Sequence, residues 1–134
     1  MRVVVARAWP SSSQYMPHIL LAEDDDSLRA FLTRALQRAG YEVTACADGE
    51  EALAALGDHE WDLLLTDIVM PGVDGIEVAR QAAARQDNLR IMFITGFAAV
   101  ALAAGDRAPA GAKVLSKPIH LREIVAEVER MMAA

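Results

Sequence analysis

The stretch that decides the fold lies between Asp62 and Gly75 and reads DLLLTDIVMPGVDG. Its apolar run, Leu63–Leu65, does not alternate with polar residues, which is typical of a strand covered on both faces in a parallel sheet. A turn signal, MPGVDG, follows almost at once. These features predict a central strand over residues 62–66, with the carboxylate of Asp67 directly after it.

Strand-like and helix-like segments alternate on both sides of this central strand. Apolar residues at helical spacing mark the helices, and short apolar runs mark the strands. The alternation predicts an α/β fold: a doubly wound, five-stranded parallel sheet of order 2-1-3-4-5 with helices on both faces. The other predicted strands are His18–Ala22, Glu42–Cys46, Arg90–Ile94 and Lys113–Ser116. Five helices are predicted: one over residues 28–39, one over 49–56, one that begins at residue 76, one in an Ala-rich stretch within 97–112, and one that begins at residue 121.

Composition limits the class of protein. The chain has 134 residues, 54% of them hydrophobic, with 13 Lys+Arg against 19 Asp+Glu and a net charge of −6. The acidic balance argues against binding nucleic acid over a broad surface. The chain has a single cysteine, Cys46, and therefore cannot form a disulfide bond within itself, and it has no apolar run of about 18 residues that could span a membrane. Both features favour a cytoplasmic location. We expect a flexible N-terminal extension over residues 1–16 and one domain over residues 17–134.

Carboxylates follow two neighbouring strands of the predicted sheet. Glu23 and Asp24 come directly after the first strand, and Asp67 after the third. Two carboxylates about 4 Å apart repel each other by roughly 4 kcal/mol at an effective dielectric constant near 20. Oxygen ligands without His or Cys are those that Mg²⁺ prefers. We therefore predict a magnesium site at this edge of the sheet.

A hydroxyl and an ammonium are predicted at the same edge. Thr95 follows the fourth strand and Lys117 the fifth. Together with the carboxylates, they form a suitable environment for a phosphoryl group, whose oxygens need a metal, a donor and a cation. A carboxylate can itself be the nucleophile and form an acyl phosphate.

Four motifs, AEDD, LLLTDIVMPGVDG, FITG and LSKP, resemble in order and spacing the receiver domain of bacterial two-component response regulators, with its flavodoxin-like or CheY-like fold. The resemblance implies that Asp67 accepts phosphate from a histidine kinase or histidine phosphotransferase. It implies that Glu23, Asp24, Asp67 and the backbone carbonyl of Val69 hold Mg²⁺. Thr95 and Lys117 would contact the phosphoryl group, and the Lys117-Pro118 peptide bond would be cis. Such a domain takes part in its own phosphotransfer and dephosphorylation and is not otherwise an enzyme.

Longer segments, including IMFITGFAAVAL and KVLSKPIHLREIV, resemble the CpdR subgroup of single-domain cell-cycle regulators. This implies a proteolysis adaptor that binds the ClpX unfoldase of the ClpXP protease when unphosphorylated, with output through protein contacts. A phosphate shuttle or chemotaxis-type receiver, active when phosphorylated, stays open as an alternative. A more remote alternative is an aspartyl-phosphate phosphohydrolase. Such enzymes need a second acid two residues after the nucleophile, and this chain has Val69 at that position.

The remaining charged and aromatic positions receive simpler interpretations. We expect Asp25 just outside the metal site and Asp26 as the cap of the first helix. The three histidines, His18, His59 and His120, receive no special role, because no two of them fall at ligand spacing within one element. Val114 replaces the Tyr or Phe that many receivers carry three residues before the lysine, so the usual aromatic switch is not expected.

Overall fold

Five parallel strands form one sheet, with bounds close to those predicted. The computed structural model describes residues 15–57, 59–96, 107–118 and 120–134. The strands are β1 (His18–Ala22), β2 (Glu42–Cys46), β3 (Leu63–Asp67), β4 (Arg90–Thr95) and β5 (Lys113–Ser116). Their order is β2-β1-β3-β4-β5, so the predicted topology is confirmed. The central strand runs one residue later than predicted and includes Asp67.

Four helices are described, and three of them are directly preceded by an aspartate that caps them. They are α1 (Asp26–Arg38), α2 (Gly49–Leu56), α3 (Gly75–Arg85) and α4 (Leu121–Ala133). The side chains of Asp25, Asp48 and Asp74 each accept a hydrogen bond from the backbone amide three residues further on. These bonds satisfy amide donors that have no partner within the helix.

The prediction that Asp26 caps the first helix is wrong, because Asp25 occupies that position. The backbone of Asp25 is extended, and its Oδ1 accepts from the amide of Leu28 at 2.9 Å. Asp26 lies in the first turn, where its carboxylate pairs with Arg29 at 2.7 Å. In a run of three aspartates each residue is an equally good cap, so composition alone does not select one.

The hydrophobic core forms two clusters, one on each face of the sheet. Successive strand residues alternate between the two faces, as the pleat requires. The first cluster joins Leu20, Leu64 and Phe93 to α2 and α3. The second joins Leu21, Leu65 and Ile94 to α1 and α4. Both faces of β3 are therefore covered, which explains its uninterrupted apolar sequence.

The amino-terminal edge of the sheet brings together two histidines. The backbone amide of Asp62 donates to the carbonyl of His18 at 2.9 Å, so the segment that precedes β3 lies beside the start of β1. As a result, His18 Nδ1 lies 2.8 Å from His59 Nε2. No single element contains two histidines, as expected from the sequence, but the pairing of β1 with the segment before β3 places His18 and His59 side by side. His120 precedes α4 and is exposed.

Two predictions concern residues outside those described. Most of the predicted fourth helix within 97–112 falls on residues 97–106, and most of the predicted extension over 1–16 falls on residues 1–14. These predictions and the proposed domain bounds stay predictions. Among the described residues, no helix is long and apolar enough to cross a membrane.

Candidate functional site

The register of the strands aligns their carboxyl ends at one edge of the sheet. In the paired strands Ala22 lies opposite Thr66, Asp67 opposite Ile94, and Thr95 opposite Ser116. Residues at or just beyond these positions are therefore neighbours in space, although four separate segments contribute them. This edge is where open α/β sheets bind their ligands.

Three carboxylates meet at this edge, as predicted from the sequence. Glu23, Asp24 and Asp67 each present an oxygen atom, and these atoms all lie within 4.8 Å of one another. Glu23 is 1% exposed and Asp67 7% exposed, whereas Asp24 is on the surface. Two of the three carboxylates are therefore largely shielded from water, which strengthens their mutual repulsion.

Lys117 supplies positive charge to this cluster. Its ammonium donates to Asp67 Oδ2 at 2.9 Å and lies 3.3 Å from Glu23 Oε1. The backbone places the side chain there, because the amide of Lys117 donates to the carbonyl of Thr95 at 2.7 Å. The Lys117-Pro118 peptide bond is cis, as the resemblance implied.

The pKa values of two groups reflect this arrangement. Burial raises the pKa of Glu23 above its ordinary value, and the nearby charge of Asp67 adds to the effect; the amide of Asp25 and the ammonium of Lys117 oppose it without cancelling it. For Lys117, burial disfavours the charged form. Its hydrogen bond to Asp67 and the negative charges of Asp67 and Glu23 outweigh that penalty, so the pKa of the ammonium is raised. Lys117 is therefore a permanent cation here.

The backbone around Asp67 holds its carboxylate in place. The amide of Val69 donates to Asp67 Oδ1 at 3.3 Å, so the two carboxylate oxygens have different partners. Thr66 Oγ1 donates to the carbonyl of Asp67 at 2.8 Å. Gly75, the first residue of α3, packs so closely that a Cβ atom there would lie 1.9 Å from the same carbonyl oxygen. Only glycine permits this approach.

Thr95 and Val114 are placed differently. Thr95 ends β4 and is completely buried, next to the backbone that carries Lys117. Val114 lies on β5, at the edge of the sheet, and is 40% exposed. A short aliphatic side chain thus occupies an accessible position next to Leu115 on this edge strand.

Three residues that support the site were not assigned this role from the sequence. Arg29 donates from Nη1 to the carbonyl of Glu23 at 2.9 Å, and the amide of Asp25 donates to Glu23 Oε2 at 3.1 Å. Gly75 was recognised only as part of a turn signal. The first two contacts depend on the path of the loop between β1 and α1, which no local sequence pattern specifies.

The charge and chemistry of the cluster fit a hard divalent cation. Three carboxylates face one ammonium, so the site has excess negative charge and only oxygen ligands. In the part of the chain that the structure describes, no other set of three or more His, Cys, Asp or Glu side chains has ligand atoms already this close together.

A buried aspartate at the end of the third strand, two further acids and a lysine after the fifth strand together define a response regulator receiver. The chain belongs to this family: the family model described as "Response regulator receiver domain" matches residues 19–129. The predictions of fold and family are therefore confirmed.

Among its relatives, the chain is similar to the response regulator receiver protein CpdR of Brucella abortus (strain 2308). The two are 56% identical over 119 residues, which cover 89% of this chain and 99% of the relative. The predicted likeness to the CpdR subgroup is thus confirmed.

Solved structures show the same fold. A response regulator receiver protein from Sinorhizobium medicae WSM419 is 30% identical, with a TM-score of 0.82 over 89% of this chain and 96% of that one. The response regulator TrrA from Thermotoga maritima, solved in complex with Mg(2+)-BeF, is 29% identical, with a TM-score of 0.74 over 87% of this chain and 99% of that one.

Proposed function

We propose that Asp67 accepts a phosphoryl group from a phosphohistidine of a histidine kinase or histidine phosphotransferase. The observation that carries this proposal is the position of its carboxylate: 7% exposed, at the end of β3, and 2.9 Å from the ammonium of Lys117. An aspartate held beside a fixed cation can attack an anionic donor that free carboxylates would repel.

In this step an oxygen atom of Asp67 attacks the phosphorus atom of the phosphohistidine. A phosphorus–oxygen bond forms as the phosphorus–nitrogen bond breaks, and the electron pair of the broken bond leaves with the imidazole nitrogen. The ammonium of Lys117 moves from the carboxylate to a phosphoryl oxygen. Thr95, whose carbonyl accepts from the amide of Lys117, donates a hydrogen bond from its hydroxyl to the same phosphoryl group. This bond couples the new charge of roughly −2 to the loops after β4 and β5.

Glu23, Asp24 and Asp67, with the backbone carbonyl of Val69, would hold Mg²⁺. When bound, the ion neutralises carboxylate charge and stabilises negative charge on the phosphoryl oxygens. The excess of acidic groups at the site and the Mg(2+)-BeF complex of the related TrrA support this assignment. Phosphotransfer and dephosphorylation at its own aspartate are the chemistry we assign to the chain.

The test is uptake of labelled phosphate from a small acyl phosphate and from a phosphorylated histidine phosphotransferase. We expect labelling of the wild type with Mg²⁺, and none of Asp67→Asn. Asp87→Asn, which removes an exposed carboxylate from a turn, is the matched control and keeps full labelling. Labelling of Asp67→Asn at the wild-type rate would exclude Asp67 as the acceptor.

The output we propose is that of a cytoplasmic, CpdR-type adaptor that binds the ClpX unfoldase when unphosphorylated. The similarity to CpdR over 89% of this chain supports it. Phosphorylation then releases the unfoldase by shifting the balance between two conformations of the receiver surface.

A binding experiment separates this output from that of a phosphate shuttle. We expect Asp67→Ala to bind immobilised unfoldase as the wild type does, and beryllofluoride, which mimics the phosphoryl group, to reduce binding of the wild type alone. A shuttle gives the opposite pattern: beryllofluoride promotes binding, and Asp67→Ala does not bind its partner.

A further inference from the structure

A second cluster of metal-ligating groups lies at the opposite end of β1 from the carboxylates. His18 begins this strand, and Glu23 follows its last residue. A strand rises about 3.3 Å per residue, so roughly 16 Å separate the two positions. At the far end, His18 Nδ1 and His59 Nε2 lie 2.8 Å apart. The proposed phosphotransfer uses neither side chain.

The neighbouring strand orients one of these imidazoles. His18 Nε2 lies 2.8 Å from Thr44 Oγ1, so both ring nitrogens of His18 have defined partners. The register of β1 and β2 places Glu42 beside His18, and Glu42 Oε1 lies 3.7 Å from His18 Nδ1. In protein metal sites a ligating imidazole commonly bonds through its other nitrogen to an oxygen atom, which fixes the ring. Thr44 stands in that position.

We propose that His18 Nδ1, His59 Nε2 and the carboxylate of Glu42 form a binding site for Zn²⁺. Two nitrogen atoms that face each other at 2.8 Å share a proton in the metal-free protein. A zinc ion that replaces this proton needs metal–nitrogen distances of about 2.0–2.1 Å, which put the nitrogens about 3.3 Å apart in a tetrahedral site. The nitrogens therefore need to separate by about 0.5 Å, and each ring needs to turn so that its lone pair points at the ion.

Glu42 provides the third ligand after its side chain rotates, because its carboxylate lies near His18 Nδ1 but not within 4.8 Å of His59 Nε2. A carboxylate oxygen and an imidazole nitrogen on one zinc ion lie about 3.4 Å apart, close to the 3.7 Å observed. The side chain of Glu42 is 59% exposed, so neighbouring atoms do not hold it in its present rotamer. His59 is also exposed, which leaves the fourth position open to water. Zinc then connects β1, β2 and the segment before β3.

The two metal sites differ in the cations that they select. Imidazole nitrogens favour zinc and similar transition metals, whereas Mg²⁺ prefers oxygen ligands and gives up its water reluctantly. An excess of Mg²⁺ therefore occupies the carboxylates and leaves the histidines to zinc. This difference allows zinc binding to be measured in the intact chain.

Calorimetric titration of the whole protein with Zn²⁺, in excess Mg²⁺ and without phosphodonor, tests the proposal. We expect one site per chain in the wild type and at least tenfold weaker binding in His59→Gln. His120→Gln is the matched control, because it removes an exposed histidine that lies outside the cluster and binds like the wild type. Thr44→Val weakens binding about tenfold through loss of the orienting contact.

The fluorescence of Trp61 provides a second measurement of metal binding that is independent of calorimetry. The ring centroid of Trp61 lies 4.5 Å from those of both His18 and His59. Cu²⁺, which favours the same nitrogen ligands, should quench the fluorescence of Trp61 in a Trp9→Phe background, and His59→Gln should remove this quenching.

His59 is exposed, so its replacement does not disturb the core, and an unfolded variant is not the expected reason for a loss of binding. Equal zinc affinity of the wild type and His59→Gln would overturn the proposal. An equal loss in His59→Gln and His120→Gln would overturn it as well, because it would show binding to scattered surface histidines.

Discussion

Lys117 Nζ lies 2.9 Å from Asp67 Oδ2, although the two residues are 50 positions apart in the sequence. The same ammonium lies 3.3 Å from Glu23 Oε1. One cation thus joins two acids that are almost inaccessible to water. In metal-free protein this contact offsets part of the repulsion at the site. In the proposed phosphotransfer, the same ammonium would lie within reach of the incoming phosphoryl group.

Loss of Lys117 is expected to destabilise the metal-free protein. Lys117→Met leaves Glu23 and Asp67 without their shared cation and lowers the free energy of unfolding by about 1–3 kcal/mol. Mg²⁺ should restore much of this loss. Chemical denaturation in EDTA and in Mg²⁺ measures both effects. Lys113→Met is the control: its pair with Glu127 spans 3.8 Å on the surface, and its removal should change stability by less than about 0.5 kcal/mol. Equal losses in the two variants would contradict the prediction.

Stability should depend on pH through Glu23. Its pKa in metal-free protein is raised, so folding disfavours the charged form. As the pH rises from the ordinary carboxyl pKa through this raised value, the wild type loses stability relative to Glu23→Gln. Below the ordinary pKa both forms are neutral and the difference disappears. The free energy of unfolding of both proteins, measured in EDTA from pH 4 upward, checks the sign.

Glu127 offers a control of opposite sign for this pH series. Arg130 lowers the pKa of Glu127 through a hydrogen bond, so its stabilising effect is present above the ordinary carboxyl pKa and is lost as the pH falls through the lowered value. At neutral pH, Glu127→Gln should therefore be no more stable than the wild type. A stability gain in this variant like that of Glu23→Gln would show that the effect is one of net charge alone.

Gly75→Ala should disturb the end of β3. The added Cβ would lie 1.9 Å from the carbonyl oxygen of Asp67, so the backbone has to move, at a cost of about 1–3 kcal/mol, and the rate of phosphorylation should fall. Thermal unfolding and labelling measure the two effects. At Gly96 a Cβ meets Lys117 at an ordinary 3.8 Å, so Gly96→Ala is the matched control. A Gly75→Ala protein that unfolds and labels as Gly96→Ala does would show that the close approach has no effect.

Cys46 should react slowly with thiol reagents. Burial raises the pKa of its thiol to about 11, with a further contribution from Glu51. At pH 8 only about one thiol in a thousand is then ionised, and the side chain is 4% exposed. We expect alkylation by iodoacetamide to be at least a hundredfold slower than in the unfolded chain. Rapid labelling of the folded protein at pH 8 would contradict this.

The sequence predicted the sheet and the candidate site well because both depend on local signals. Uninterrupted apolar runs mark buried strands, and the residues that follow them must meet where parallel strands end. The sequence alone therefore predicts that Glu23, Asp67 and Lys117 lie together. The alternation of strands and helices left few ways to arrange the chain.

The features that the sequence did not predict depend on packing between elements. The cap of α1 is Asp25 and not the predicted Asp26, because adjacent identical residues give no sequence signal that distinguishes them. The contact between His18 and His59 depends on the pairing of β1 with the segment before β3, across 41 positions. The need for glycine at residue 75 depends on how closely α3 approaches β3, which no sequence pattern measures.

Among the described residues, the sheet lies between the two apolar clusters, so that one packs against α2 and α3 and the other against α1 and α4. Substitutions under α2 and α3 should therefore combine additively with substitutions under α1 and α4. During evolution, the helices on one face of such a sheet can therefore change to bind a new partner, while the helices on the opposite face keep their existing one.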